Sequence, residues 1–294
     1  MDPTPPTVPL RRPRRADERI AWRLSVPFLA VHVVALAAPF LVPPTWPLAA
    51  LAAASYLLRM FGVTAGLHRY FSHRSYRTGR VFQFLLALLA TTAVQKGVLW
   101  WSAHHRHHHR HSDGPEDIHS PLVRGFWWSH VGWFLCTRYD ETPLEQVRDL
   151  ARYPELRWLD RNERWVVVGF ATVLFLAGGW GALLWGFFVP TVLLWHATFT
   201  VNSLTHVAGT RRYATPDGSR NNWFVALLTL GEGWHNNHHH YQSSTNQGWF
   251  WWEFDPTWYA LRVLAAVGVV RDLRRPPEPI RLGLEEPGDL ARAA

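Results

Sequence analysis

Cysteine is almost missing from this chain. Cys136 stands alone among 294 residues, so no intrachain disulfide can form and no cysteine-ligated iron–sulfur cluster can be built. Any such redox centre has to come from another protein. Lysine is equally scarce, with Lys96 the only one, and the formal charge of +8 is carried by arginine. That charge is not gathered into one basic module, which argues against nucleic acid and leaves anionic lipid headgroups, phosphorylated substrates or an acidic protein as partners. Charge itself is missing from two long stretches: residues 24–58 and 165–210 contain no Asp, Glu, Lys or Arg. The slightly negative mean hydropathy of the whole conceals them, because Arg-rich ends and a His-rich middle dilute the average.

Each uncharged stretch is long enough for two helical crossings of a hydrocarbon core of roughly 30 Å, at about 1.5 Å per residue. Pro43, Pro44 and Pro47 around Trp46 supply a turn in the first, and Gly178, Gly179 and Gly181 around Trp180 supply a break in the second. The first stretch is too long for the apolar part of a signal peptide. Residues 81–95 are apolar but short, and read as an interfacial or core-packed helix. An all-α integral membrane protein with four transmembrane helices in two hairpins is predicted. Neither Trp46 nor Trp180 has Lys or Arg near it, whereas both ends and the middle are Arg-rich, so the termini and the central segment are expected on the cytoplasmic side. Arg59, near the inner end of the second helix, is expected to snorkel to the interface. Residues 1–19 and 271–294, rich in Pro and Arg, read as disordered tails on a membrane domain spanning 20–270.

What the chain has in abundance is histidine. Most of its 17 fall into three groups: His68 with His73, His104 to His109 interrupted only by Arg106, and His235 with His238, His239 and His240. On a helix, residues at i, i+3 and i+4 share a face, so His105, His108 and His109 can converge, as can His235, His238 and His239, each triple gripping one metal edge. His68 and His73 lie about 140° apart around a straight α-helix, so a helix end has to fall between or beside them. Asn202 and His206, four apart at the cytoplasmic end of the last predicted crossing, point toward the same layer. All these groups share one membrane side only if each apolar stretch is a hairpin. Imidazole suits iron, zinc, copper or nickel, and nine are too many for one tetrahedral zinc, which implies two metals. His104, His107, His111 and His240 are read as extras, and His32, His119, His130 and His196 as packed or hydrogen-bonded rings.

These residues resemble the membrane fatty acyl desaturases, the stearoyl-CoA desaturase group, over nearly all of 24–259. The matching strings are Gly62-Val63-Thr64-Ala65-Gly66-Leu67-His68-Arg69, the HRxHH-type box from His105 to His109, Ser129-His130-Val131-Gly132-Trp133, Asn202-Ser203-Leu204-Thr205-His206, and the run from Gly231 to His239. The resemblance implies four transmembrane helices under a cytosolic helical cap. It implies a diiron centre with nine ligands, His68, His73, His105, His108, His109, His206, His235, His238 and His239, and Asn202 reaching one metal through water. It also implies a kinked tunnel for a fatty acyl substrate, with Gln95, Trp101 and Thr198 at the kink and Tyr56 and Met60 near the closed end.

Removing hydrogen from an unactivated methylene needs an oxidant that acids and bases cannot supply, so a metal has to carry the chemistry. The implied reaction uses dioxygen and places a cis double bond in a saturated acyl chain, with acyl-CoA the preferred carrier. Electrons come from an external ferredoxin, cytochrome b5-like protein or flavoprotein. Asp113, Glu116, Asp117 and Glu232 are candidates for hydrogen bonds to ligand imidazoles. A membrane diiron hydroxylase is the nearest alternative. A divalent-metal transporter would need ligands within the crossings, where only His32 and His196 lie.

Overall fold

The computed structural model describes residues 15–284, and the remainder of the two expected tails lies outside them. Helix α1 (Trp22–Leu41) stops before Pro43 and Pro44, and α2 (Trp46–Phe61) restarts with Pro47 in its first turn, where a missing N–H removes no helical bond. Helices α3 (Arg80–Thr91) and α4 (Val98–His111) follow. Next come α5 (Glu163–Leu183), a π-wound stretch Leu184–Phe188, and α6 (Val189–Ser203).

Gly178 and Gly179 leave helical geometry inside α5, Gly179 at φ +60°, a value that suits glycine. The chain doubles back there. Phe170 and Phe187, about 25 Å apart on a continuous helix, have ring centroids 6.0 Å apart. Helix α1 lies antiparallel to α6, since Trp185 Nε1 donates to Val42 O (2.9 Å) while Phe28 stacks on Trp195 (5.2 Å). Helix α2 runs parallel to α6: Ser55 Oγ donates to Gly186 O (2.6 Å), and one turn on Arg59 Nη2 donates to Thr191 Oγ1 (2.7 Å). The four rods therefore alternate in direction. Two continuous stretches, Trp46–Ser72 and Glu163–His206, are long and apolar enough to cross a membrane, while Ser25–Leu41 is a shorter apolar helix. Large apolar side chains such as Val33, Leu36, Phe40 and Leu176 point outward from the rods.

Arg59 does not snorkel. It is 1% exposed, its Nε donates to Thr92 O (2.9 Å) at the end of α3, and Phe170 and Phe187 flank its guanidinium. Carbonyl and hydroxyl acceptors satisfy it inside the bundle, so it has no need to reach the interface.

The lower half gathers around the extension of α2. Gly62–Ser72 winds as a π-helix, fully buried, with α3 and α4 packed on it. The N-terminus of α4 is capped from a distance: Asp160 Oδ1 accepts from Leu99 N (3.1 Å) and Trp100 N (3.2 Å). Position 97 has to be glycine, because a Cβ there would collide with that carboxylate.

Order extends into both expected tails. Ala16–Glu18 forms a 3-10 turn, with Glu18 buried in an ion pair to Arg124 (2.8 Å). At the other end Val270–Arg271 pairs antiparallel with Arg77–Thr78, Arg274 N donates to Ser75 O (3.2 Å), and Ile280 is buried. Composition suggested disorder there, but a buried ion pair and a two-residue ladder hold these segments in place.

Candidate metal centre

The π-winding solves the problem posed by His68 and His73. A π-helix closes its hydrogen bonds five residues apart, and His73 N donates to His68 O (3.2 Å) as the helix ends at Ser72. The two rings consequently face one side, with centroids 4.8 Å apart. The helix end expected beside them is present; the change of winding is what aligns them.

The two HxxHH boxes are each divided between two clusters. Helix α4 sends its i, i+4 pair His105 and His109 to one cluster and His108 to another. Helix α7 (His235–His240) does the converse, sending His235 and His239 to the second cluster and His238 to the first. One cluster thus holds His68, His73, His105, His109 and His238, and the other His108, His206, His235 and His239, with all candidate ligand atoms of a cluster within 4.8 Å of one another. A metal on either side of the shared ridge would take one face of each helix.

Within the first cluster the Nε2 atoms of His68 and His238 are 3.0 Å apart, those of His73 and His105 2.8 Å, and those of His109 and His238 3.0 Å. In the second, His206 and His235 Nε2 stand 3.0 Å apart. Two imidazole nitrogens about 2.1 Å from a shared ion and at right angles stand about 3.0 Å apart, so this is ligand spacing.

The outer nitrogens agree. Nδ1 of His206 donates to Asp113 (2.8 Å), that of His108 to Asp117 (3.0 Å), that of His239 to Asp217 (2.6 Å), and that of His68 to Glu232. With the proton on Nδ1, the Nε2 lone pair points inward, the arrangement metal-bound histidines use. Nε2 of His239 is buried with no partner among the described residues, as expected of an atom reserved for an ion.

Burial and the neighbouring rings hold His73, His105, His109, His235 and His238 well below the ordinary histidine value, so they are neutral, the ligating form, at pH 7. Burial alone would raise Asp117 and Asp217, but the facing imidazoles and their hydrogen bonds keep both below the usual carboxylate range. A donor set of imidazoles, five of them held neutral, backed by ionised carboxylates fits two transition-metal ions.

Three of the four carboxylates proposed from sequence lie against cluster rings. Glu116 instead faces His111 (3.2 Å) at the surface. Asp217 was missed, since it sits in a loop between the boxes with no spacing to mark it. Arg69, next to His68, was also overlooked as a support: its guanidinium is buried between Glu232 (3.0 Å) and Asp255 (3.0 Å) and fixes the first. His104 bonds back to Trp100 O (2.9 Å), His107 reaches Glu116 O (3.0 Å), and His240 stacks on Tyr213 (4.2 Å), all outside the clusters. His32, His196 and His130 form a hydrogen-bonded chain with 3.0 Å links. His119 stacks on His108 (4.3 Å), close to the second cluster.

An apolar cavity of about 560 Å³ reaches the first cluster at His105. Gln95, Trp101 and Thr198 line it and are linked: Trp101 Nε1 donates to Gln95 Oε1 (3.3 Å) and Gln95 Nε2 to Thr198 Oγ1 (3.1 Å). Asn202 lines it too, its carbonyl held by Ser129 Oγ (3.0 Å). Tyr56 and Met60 are not among its lining. The Tyr56 hydroxyl donates to Leu228 O (2.6 Å), and Met60 is fully buried in the main core.

Two imidazole clusters that could hold metal, the first of them reaching an apolar cavity, define the site. The fatty acid desaturase family model matches residues 44–270, and the chain belongs to that family. It is 36% identical to an sn-2 palmitoyl-lipid 9-desaturase of Nostoc over 90% of this chain and 94% of the relative. An sn-1 stearoyl-lipid 9-desaturase of Synechocystis is 38% identical over 88% and 81%. An acyl-CoA 5-desaturase of Anemone leveillei is 37% identical over 84% and 78%. The protein is a fatty acid desaturase, an oxidoreductase of lipid metabolism acting on fatty acyl substrates.

Proposed function

We propose that the protein introduces a cis double bond into a saturated acyl chain at a diiron centre, with one iron held by His68, His73, His105, His109 and His238. The second is held by His108, His206, His235 and His239, with Asn202 contributing through water. The four alternating rods cross the bilayer, and the termini and the centre lie on the cytoplasmic side. The observation that carries this reading is the partition of nine imidazoles into two clusters of ligand spacing beside a cavity shaped for an apolar chain.

Bound iron would supply the activation of dioxygen that oxidising an unactivated methylene requires. The side chains do the rest. Asp113, Asp117, Asp217 and Glu232 keep each Nδ1 protonated and each Nε2 turned inward. The Trp101–Gln95–Thr198 link fixes the bend of the cavity, and so which carbons of the chain rest beside His105. Aromatic walls such as Phe28, Trp195 and Phe199 keep water from that stretch. An external donor, a ferredoxin, cytochrome b5-like protein or flavoprotein, supplies electrons. Relatives at similar identity are named for lipid-linked and for CoA-linked chains, so likeness does not separate the carriers.

Expression in cells lacking their own desaturase, with lipid mass spectrometry and iron analysis of the purified chain, tests this. About two irons per chain and a new alkene are expected. A hydroxylated chain without alkene would instead assign hydroxylation, and zinc with no oxygen-dependent product would point to a metal carrier.

A further inference from the structure

The cavity has a mouth, and its rim is of two kinds. The lining residues that are also exposed are Arg23 and Pro27 on α1, Arg164 and Val168 on α5, and Asp140. On each helix the arginine and the apolar residue are four apart. The same face therefore presents a guanidinium at the helix start and, one turn or about 5.4 Å deeper, a greasy edge. Trp22 and Trp165, adjoining the two arginines, are 74% and 72% exposed, as interfacial tryptophans are. This sets the guanidiniums at headgroup depth and Pro27 and Val168 within the acyl region. Helices α1 and α5 pack on the segment joining α5 to α6 rather than along each other, which leaves the gap between them.

Among the described residues neither the Arg23 nor the Arg164 side chain makes a hydrogen bond or ion pair, whereas Lys96 on the same rim is paired with Asp140. Glu163, partly buried, is the remaining acid of the mouth. Two unpaired guanidiniums flanking an apolar slot match a phosphate carrying an acyl chain.

We propose that Arg23 and Arg164 hold the phosphate of a membrane glycerophospholipid, whose acyl chain enters the cavity sideways from the bilayer between Pro27 and Val168. This rests on the desaturase reading and names its carrier. CoA also carries phosphates, but a carrier delivered from water has no use for a rim whose deeper half faces lipid.

The test uses the iron-loaded full chain in neutral detergent micelles, supplied with dioxygen and reduced ferredoxin as electron donor. Palmitoyl chains bearing a diazirine are presented on phosphatidylglycerol, on monogalactosyldiacylglycerol and on CoA, with photo-adducts on cavity peptides and alkene formation both read. Arg23→Gln with Arg164→Gln should raise KM for phosphatidylglycerol about tenfold with kcat kept, and leave the phosphate-free galactolipid unchanged. Val168→Trp should cut adducts from both lipids and spare those from palmitoyl-CoA, with iron content showing that the variant is folded. An unchanged KM for phosphatidylglycerol in the double variant overturns the headgroup site. A rise in KM for palmitoyl-CoA alone moves the phosphate to CoA and overturns the lipid source. Equal loss of all three carriers in Val168→Trp overturns the lateral route. Adducts in the unaltered chain without alkene from any carrier sink the desaturase reading and leave the site standing.

Discussion

The two imidazole clusters are built from the same boxes yet backed differently. In the four-histidine cluster every ring is buried, and three of four Nδ1 atoms donate to carboxylates, Asp113, Asp117 and Asp217. In the five-histidine cluster His73, His105 and His109 are only partly buried. There, among the described residues, a single carboxylate, Glu232, backs His68, and Nδ1 of His109 and of His238 has no partner. One site has fewer imidazoles and more negative charge behind them; the other has more imidazoles and a more open setting. Ligand number and outer charge trade against each other, and the two positions should differ in how firmly they hold a metal.

Four measurements break or sharpen that contrast. The largest effect belongs to His238→Ala, which removes the ligand that the second box lends to the first cluster. Oxygen-dependent alkene formation should vanish and iron should fall toward one per chain, and unchanged iron would refute the partition. Asp217→Asn should weaken iron retention by about 10–100-fold in the four-histidine cluster, read by chelator competition. Glu232→Gln should act on the other cluster, so if both variants release the same iron the division is wrong. Gln95→Leu breaks the Trp101–Gln95–Thr198 link and is expected to lower kcat by up to about 100-fold and spread the double bond over neighbouring positions. Product position unchanged by this variant would show that the link does not position the chain. The smallest effect is expected of Glu155→Gln: the Arg80–Glu155 pair lies on the surface and holds that carboxyl at about 2, but exposed pairs contribute little. Neither activity nor thermal midpoint should move measurably above pH 5.

Much of this architecture is legible in the chain. Proline around Trp46 and glycine around Trp180 mark the two reversals, because each removes the helical option locally, and uncharged runs of that length have few homes other than a bilayer. The histidines identify themselves by clustering. Their division between two sites does not, since i, i+3 and i+4 on an isolated helix describe one face, whereas α4 and α7 stand between two imidazole clusters and divide that face between them. Asp217 could not be read either, because a loop carries no periodicity. Arg59 misled for the opposite reason: its acceptors, Thr92 O and Thr191 Oγ1, come from elements far away in the chain. Tyr56 and Met60 lie one turn apart and pack in or against the main core, and neither lines the cavity.

The π-wound segment from Gly62 to Ser72 also works as a ruler. An α-helix brings the fourth residue on round to the same side, a π-helix the fifth, so the five-residue interval between His68 and His73 and the wide winding are matched parts of one device. Changing either alone rotates His73 out of the cluster. A variant whose segment relaxed to tighter winding would gain a more ordinary helix and lose a ligand, a folded protein with a blind centre. Deleting one residue between the two histidines while the winding tightened would keep them aligned. Length and pitch are thus exchangeable here, and circular dichroism would not distinguish the working form from the blind one, whereas iron content would.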